Sequence, residues 1–207
     1  MPKTVTIEKT VFTYAELDDS GKDNAREWFA SSIESDDFDS VIEDFKIIAD
    51  LIGVQLATRR GSSQAAIYWS GFYSLGDGAC FEGRYSYRKG AAKAVREHAP
   101  KDSELHRIAD ELQQVQRRNF YRLCAHVEQS GRYMHSGCTR VHVYRSDYEY
   151  SDIPEDSEES IRQCMRDLMD WLYKQLDKEN DYLTSAEHVA EMCEANEYEF
   201  DENGRIA

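Results

Sequence analysis

Between Tyr68 and Tyr87 the chain reads YWSGFYSLGDGACFEGRYSY, and this stretch limits the backbone more than any other. Tyr68, Trp69, Phe72 and Tyr73 approach a glycine-rich turn, and Phe81, Gly83, Tyr85 and Tyr87 leave it with a two-residue period. That period places side chains on alternate faces of an extended strand. Glycine reaches positive φ without a Cβ clash, so Leu75-Gly76-Asp77-Gly78 predicts the turn of a β-hairpin. Gly71 and Gly83 fall inside the predicted strands, where glycine marks a bulge or a close approach by backbone or ligand. A groove walled by Tyr and Trp over a glycine floor would accept a peptide or a base. The same pattern also describes an aromatic hairpin packed against helices.

The rest of the chain supplies the helices for such packing. Residues 3–14 alternate and are rich in threonine, which predicts a strand. Glu16 to Ser20 offers capping residues for a helix that buries Ala25, Trp28 and Phe29. Phe38, Val41, Ile42, Phe45, Ile48, Ala49 and Ile52 follow helical spacing up to Gly53. Val54 to Thr58 suits a short strand, and residues 59–63 suit a loop. After the hairpin come a short helix from Gly90 to His98 and a longer one starting at Asp102-Ser103, with Leu105, Ile108, Ala109, Leu112 and Val115 on its apolar side. Tyr121 to Val127 and Tyr133 to Arg145 predict a second hairpin about Gln129-Ser130-Gly131. The acidic segment 147–159 reads as a linker. The longest helix follows it, and Thr184-Ser-Ala-Glu187 has capping-box spacing for a last one. Glu197 to Phe200 would add an edge strand.

Two hairpins separated and flanked by helices predict an α+β fold, with an antiparallel sheet of about four to six strands covered by helices on one face. The length of 207 residues suits a single domain over 1–207, with 155–207 a candidate helical subdomain at its C-terminal side.

Asp and Glu number 40 against 25 Lys and Arg, a formal net charge of −15, and the acids are spread along the chain. Bulk electrostatics therefore oppose direct binding to a nucleic-acid backbone and favour a protein partner with a basic surface. No apolar run reaches signal-peptide or membrane-spanning length, so a cytoplasmic protein without membrane contact is expected. Five cysteines without a CxxC pair suit reduced, mostly buried thiols.

Residues with chemistry to offer fall into three sets. Cys124, His126, His135, Cys138 and His142 lie in the second hairpin, but His135 has the wrong strand parity to join the others and the usual paired-ligand spacings do not occur. No metal or cofactor is expected. Cys80 and several serines are potential nucleophiles, yet no nucleophile elbow, P-loop or zinc-protease motif accompanies them, which makes a binding protein the expectation over an enzyme. Arg117 and Arg118, with Arg84, Arg88 and Lys89 at the exit of the first hairpin and Arg140 and Arg145 in the second, would stand near tyrosines if the strands pair and could then hold a phosphate and stack a base, although the surplus of acids offers them intramolecular partners.

The segments FTYAELDDSGKDNAREWF, WSGFYSLGDGACFEGRYSY, ELHRIADELQQVQRRNFY and the C-terminal NEYEF together resemble a family of small proteins encoded by tailed bacteriophages and prophages, often labelled antitoxins of toxin–antitoxin stability systems. The resemblance covers nearly the whole chain. It implies an accessory protein acting in the cytoplasm of a bacterial host, and it brings no catalytic residues with it.

The leading expectation is therefore an acidic, antitoxin-like or counter-defence protein that neutralises a host or toxin protein. Its candidate contact residues are Trp69, Ser70, Phe72, Tyr73, Asp77, Cys80, Arg84, Tyr85 and Arg118. The alternative is a protein that binds, or hydrolyses, a small nucleotide-like ligand in a pocket over the hairpin, with Arg84, Arg118 and Asp77 as its polar contacts.

Overall fold

Among the described residues, the helical stripes and alternating strands of the sequence resolve into six helices and six strands. The structure is a computed structural model and describes residues 8–146 and 152–207. In chain order the elements are α1 (Asp19–Ser31), α2 (Asp39–Ile52), β1 (Val54–Leu56), β2 (Ile67–Ser70), β3 (Gly78–Phe81), β4 (Gly83–Ser86), α3 (Ala91–His98), α4 (Ser103–Arg118), β5 (Leu123–Gln129), β6 (Thr139–Arg145), α5 (Glu155–Leu183) and α6 (Ala186–Ala195). The strands form a four-stranded antiparallel sheet in the order β1-β4-β5-β6 and a two-stranded antiparallel sheet of β2 and β3, so the fold is α+β.

The chain divides into two compact units: Asp39–Asp177, and the described residues up to Phe38 together with Lys178–Ala207. The larger unit contains both sheets. Along β4, β5 and β6, alternate residues Tyr85, Leu123, Ala125, Val127, Val141 and Val143 are buried, while Arg84, Glu128, Arg140 and His142 are exposed on the other face. Period-two strands need this split when one face meets helices and the other meets water. Helix α4 turns Leu105, Ile108, Ala109, Leu112 and Val115 inward, as its spacing predicts. It also buries Gln116, a polar residue on the apolar stripe. The Gln116 amide donates to the Leu123 carbonyl at 2.6 Å and to the Tyr85 hydroxyl at 3.2 Å, and its oxygen accepts from the Leu123 N–H at 3.2 Å. A buried amide with its groups paired in this way ties a helix to two strands at little desolvation cost.

The predicted hairpin is half realised. β2 and β3 pair from Ile67↔Phe81 to Ser70↔Gly78, but they close through residues 71–77 and not through a tight turn at 75–78. Nor does the returning strand stay in one sheet. At Glu82 its N–H donates to the Ala66 carbonyl while its own carbonyl accepts from the Ala57 N–H, each at 2.8 Å. The chain then enters β4, which pairs with β1 and β5. Gly83 follows immediately, because a Cβ there would lie 2.4 Å from the Gln55 carbonyl oxygen and 3.1 Å from the Leu56 Cα.

In the smaller unit, α1 and α6 enclose a cluster of Leu17, Ala25, Val189, Cys193 and Phe200, with Trp28 set edge-on to Tyr198 at 5.3 Å. The predicted N-terminal and C-terminal strands reduce here to a Phe12↔Phe200 bridge and a Phe200↔Ile206 bridge; residues 3–7 of the former lie outside the described residues. The helix caps also depart from expectation at one point. Ser185 caps α6 by accepting from the His188 N–H, whereas the Thr184 hydroxyl turns back to the Asn180 carbonyl. The predicted linker is shorter than 147–159, since α5 begins at Glu155 and Pro154 accepts its first backbone bonds; residues 147–151 lie outside the described residues.

Gly83→Ala is expected to destabilise the chain by at least about 2 kcal/mol, because the added methyl meets backbone atoms that cannot rotate away. Equilibrium urea unfolding beside the wild type measures the loss, and an unchanged midpoint would disprove the close-approach argument.

Candidate functional site

The loop between β2 and β3 is closed by its own carboxylate. Asp77 Oδ2 accepts from the Tyr73 N–H at 3.0 Å and from the Ser74 N–H at 2.7 Å, while the Asp77 N–H donates to the Ser74 carbonyl at 3.0 Å. Such a side-chain-to-backbone turn holds a loop without needing a tight hairpin geometry. On one side of the loop Phe72 folds back between two rings. Trp69 lies 5.7 Å away, and Tyr173 of α5 stacks on Phe72 at 5.9 Å and 17°. The Tyr173 hydroxyl donates to the Gly71 carbonyl at 3.2 Å, and burial pushes that phenol above its ordinary pKa. On the other side Tyr73 and Leu75 stand out with relative exposures of 87% and 108%.

A second loop, between β5 and β6, braces the first. The Gln129 side-chain amide donates to the Gly131 carbonyl at 2.7 Å, and the Ser130 N–H donates to the Cys138 carbonyl at 2.9 Å. This folds 130–138 onto the hairpin. Glycine makes the fit: a Cβ on Gly76 would lie 2.6 Å from the Tyr133 ring, and one on Gly78 would lie 2.5 Å from the His135 Cβ. Tyr133 thus packs against the first loop and remains half exposed. Tyr73, Leu75 and Tyr133 together form a projecting apolar tip on a backbone fixed by Asp77, Phe72 and Tyr173.

The residues proposed from sequence do not all gather there. Trp69, Phe72, Tyr73 and Asp77 build the tip, and Ser70 ends β2 beside it. Cys80 and Tyr85 are interior, with exposures of 0% and 1%, because the strand period turns them toward the core; burial pushes the Cys80 thiol up to about 11 and the Tyr85 phenol well above its usual value. Arg84 lies on the outward face of the sheet, opposite His126 and in line with His142. Arg118 closes α4 on the helix-covered side and lines a groove of about 580 Å³ with His106, Arg107 and Glu111. The three polar contacts of the predicted nucleotide pocket are therefore not brought together: Arg84 and Arg118 point to opposite sides of the sheet, and the Asp77 carboxylate is occupied by its own loop. The expectation that acids would pair with the basic residues of this set is met in part, since Arg88 reaches Asp50 at 2.6 Å. Among the described residues Arg84, Arg117, Arg118 and Arg140 carry no ion pair, whereas Arg88, Arg96 and Arg107 do.

Sequence reading missed Leu75 and Tyr133, which it treated as turn and strand residues. An apolar residue within turn chemistry was the available signal, since a turn otherwise favours polar side chains. In the smaller unit a groove of about 500 Å³ is lined by Tyr14, Glu194, Glu197, Tyr198 and Glu199, which gives it a negative wall. Among the described residues no group of three or more His, Cys, Asp or Glu is placed to hold a metal, and no helix is long and apolar enough to cross a membrane.

Residues 38–186 match the model of a family described as a domain of unknown function (DUF8835), a span that includes both loops of the tip. The chain belongs to that family. No curated protein and no solved structure matches it.

Asp77→Ala is expected to release the loop, because two backbone donors lose their acceptor together. Hydrogen exchange at the Tyr73 and Ser74 amides should accelerate by at least about tenfold while α4 and β5 amides keep their protection. Equal protection in both proteins would show that the carboxylate does not hold the loop.

Proposed function

We propose that this chain is a binding protein which neutralises a partner protein by docking its Tyr73–Leu75–Tyr133 tip into an apolar recess on a basic surface. The observation that carries this reading is the near-complete exposure of Tyr73 and Leu75 on a loop that Asp77 holds rigid. Side chains exposed to this degree bury little area in the core. They do suit an interface anchor, for which little entropy remains to be lost on binding. The net charge of −15 and the glutamate-lined groove of the smaller unit support a basic partner, since opposite charge accelerates encounter and discriminates against acidic proteins. The resemblance to phage and prophage proteins favours a partner among host or toxin proteins of a bacterial cell, in an antitoxin-like or counter-defence role.

The test is quantitative capture from bacterial lysate, followed by affinity measurement on whatever purified protein is retained. Tyr73→Ala/Leu75→Ala should weaken affinity by at least about tenfold, mainly through faster dissociation. Raising salt from about 0.05 to about 0.5 M should slow association more than it alters dissociation. Retention of the same protein with equal affinity by the double variant would overturn the proposal.

A further inference from the structure

The loop that braces the tip contains a feature that strand parity conceals. Residues 136–138 are not extended. Ser136–Cys138 forms a 3-10 turn, in which the Cys138 N–H donates to the His135 carbonyl at 2.9 Å. Such a turn brings positions three apart onto one side, so Cys138 and His135 meet although they could not share a face in a strand. Cys138 Sγ lies 3.5 Å from His135 Nε2, and both residues are half-buried and reachable from solvent. The imidazole is held from two directions. Its Cβ is wedged over Gly78, and its ring lies parallel to that of Tyr133, with centroids 6.1 Å apart at 15°.

We infer that Cys138 is a nucleophilic thiol with His135 as its base, and that the pair exchanges with small-molecule disulfides of the glutathione type. The inference stands apart from the docking reading and does not rest on it. In the first step the thiol proton passes to His135 Nε2 and the thiolate attacks one sulfur of the disulfide RS–SR. The Cys138–S–SR bond forms as the S–S bond breaks, and RS⁻ leaves. His135 returns its proton to that leaving group as RSH, so no further oxidant or reductant is consumed. Exchange asks for a base beside the thiol and for access to its sulfur, and the 3.5 Å approach of His135 Nε2 to a half-buried Sγ meets both. The other four cysteines do not: burial pushes the thiols of Cys80, Cys124, Cys164 and Cys193 upward, and Cys80, Cys164 and Cys193 are closed to solvent.

Cys124 is the internal control, because it is half-buried like Cys138 but has no hydrogen bond at its sulfur among the described residues. The experiment exposes the intact chain to oxidised glutathione at neutral pH and follows adducts at each cysteine by peptide mass spectrometry. The mixed disulfide is expected at Cys138 at least about ten times faster than at Cys124. His135→Gln should remove most of that advantage while leaving the Cys124 rate unchanged. Cys138→Ser should abolish the fast adduct. Equal rates at the two cysteines in the wild-type chain overturn the proposal without need of any variant, and so does a His135→Gln protein, shown folded by circular dichroism, that reacts at the wild-type rate.

Discussion

The larger unit turns on Glu82, the residue at which one strand run leaves a sheet and enters another. Its backbone faces both ways, donating to Ala66 and accepting from Ala57, and its carboxylate does the same, accepting from the Tyr68 hydroxyl and the Gln129 N–H at 3.3 Å each. A carboxylate half withdrawn from water needs such donors, since an ionised group left unpaired there would be costly. Here they come from β2 on one side and from the end of β5 on the other. Because Gln129 also starts the loop that carries Tyr133, His135 and Cys138, the position of that loop follows from the same residue. Both loops of the tip are therefore referred to one point. Their mutual fit over Gly76 and Gly78 is possible because neither is free to drift.

This junction also marks where sequence reading stops. Helices α2, α4 and α5 were legible because each repeats its apolar residues at i, i+3, i+4 and i+7, a pattern that strands cannot use. The strands were legible as strands for the same kind of reason. What periodicity does not contain is membership: Phe81 and Tyr85 keep one unbroken rhythm through Glu82, yet they belong to different sheets. Partner choice depends on long-range hydrogen bonds and on the contact of Gly83 with Gln55, neither of which leaves a local trace. The Thr184 cap failed by one residue for a related reason, as Ser185 offers the same chemistry one place later and α5 runs on to Leu183. Cys138 and His135 meet against strand parity because the chain after the extended His135 turns through a 3-10 segment at Ser136–Cys138.

Charge shows a similar division between what composition reveals and what geometry decides. A surplus of acids suggests that each arginine will find a carboxylate, and several do, as in Arg107 with Asp167 at 2.6 Å and Arg96 with Asp110 at 2.5 Å. Those pairs join one helix to another. Arg84 and Arg140 instead project from the open sheet face, where cross-strand neighbours are set by register. Arg140 stands opposite Glu128, yet that carboxylate is taken by His126 at 2.8 Å. Surface ion pairs are weak, at about 0–1 kcal/mol, so such choices are decided by which side chain reaches first and not by total charge.

The two properties on which the docking reading rests act at different stages of association. Negative charge distributed over the chain operates at a distance of about a Debye length, roughly 8 Å at physiological salt, so it governs how often a basic partner arrives. It cannot govern how long the partner stays, because exposed charges are screened and regain water readily. Residence depends on apolar area withdrawn from water by a surface that does not have to be ordered first. Tyr73 and Leu75 meet that requirement only because Asp77 spends its carboxylate on the loop backbone and because Phe72 is held between Trp69 and Tyr173. Accepting from neutral N–H groups cancels no formal charge, so the Asp77 carboxylate serves the loop in addition to the steering field. It converts a glycine-rich stretch that would otherwise be flexible into a support for two exposed side chains.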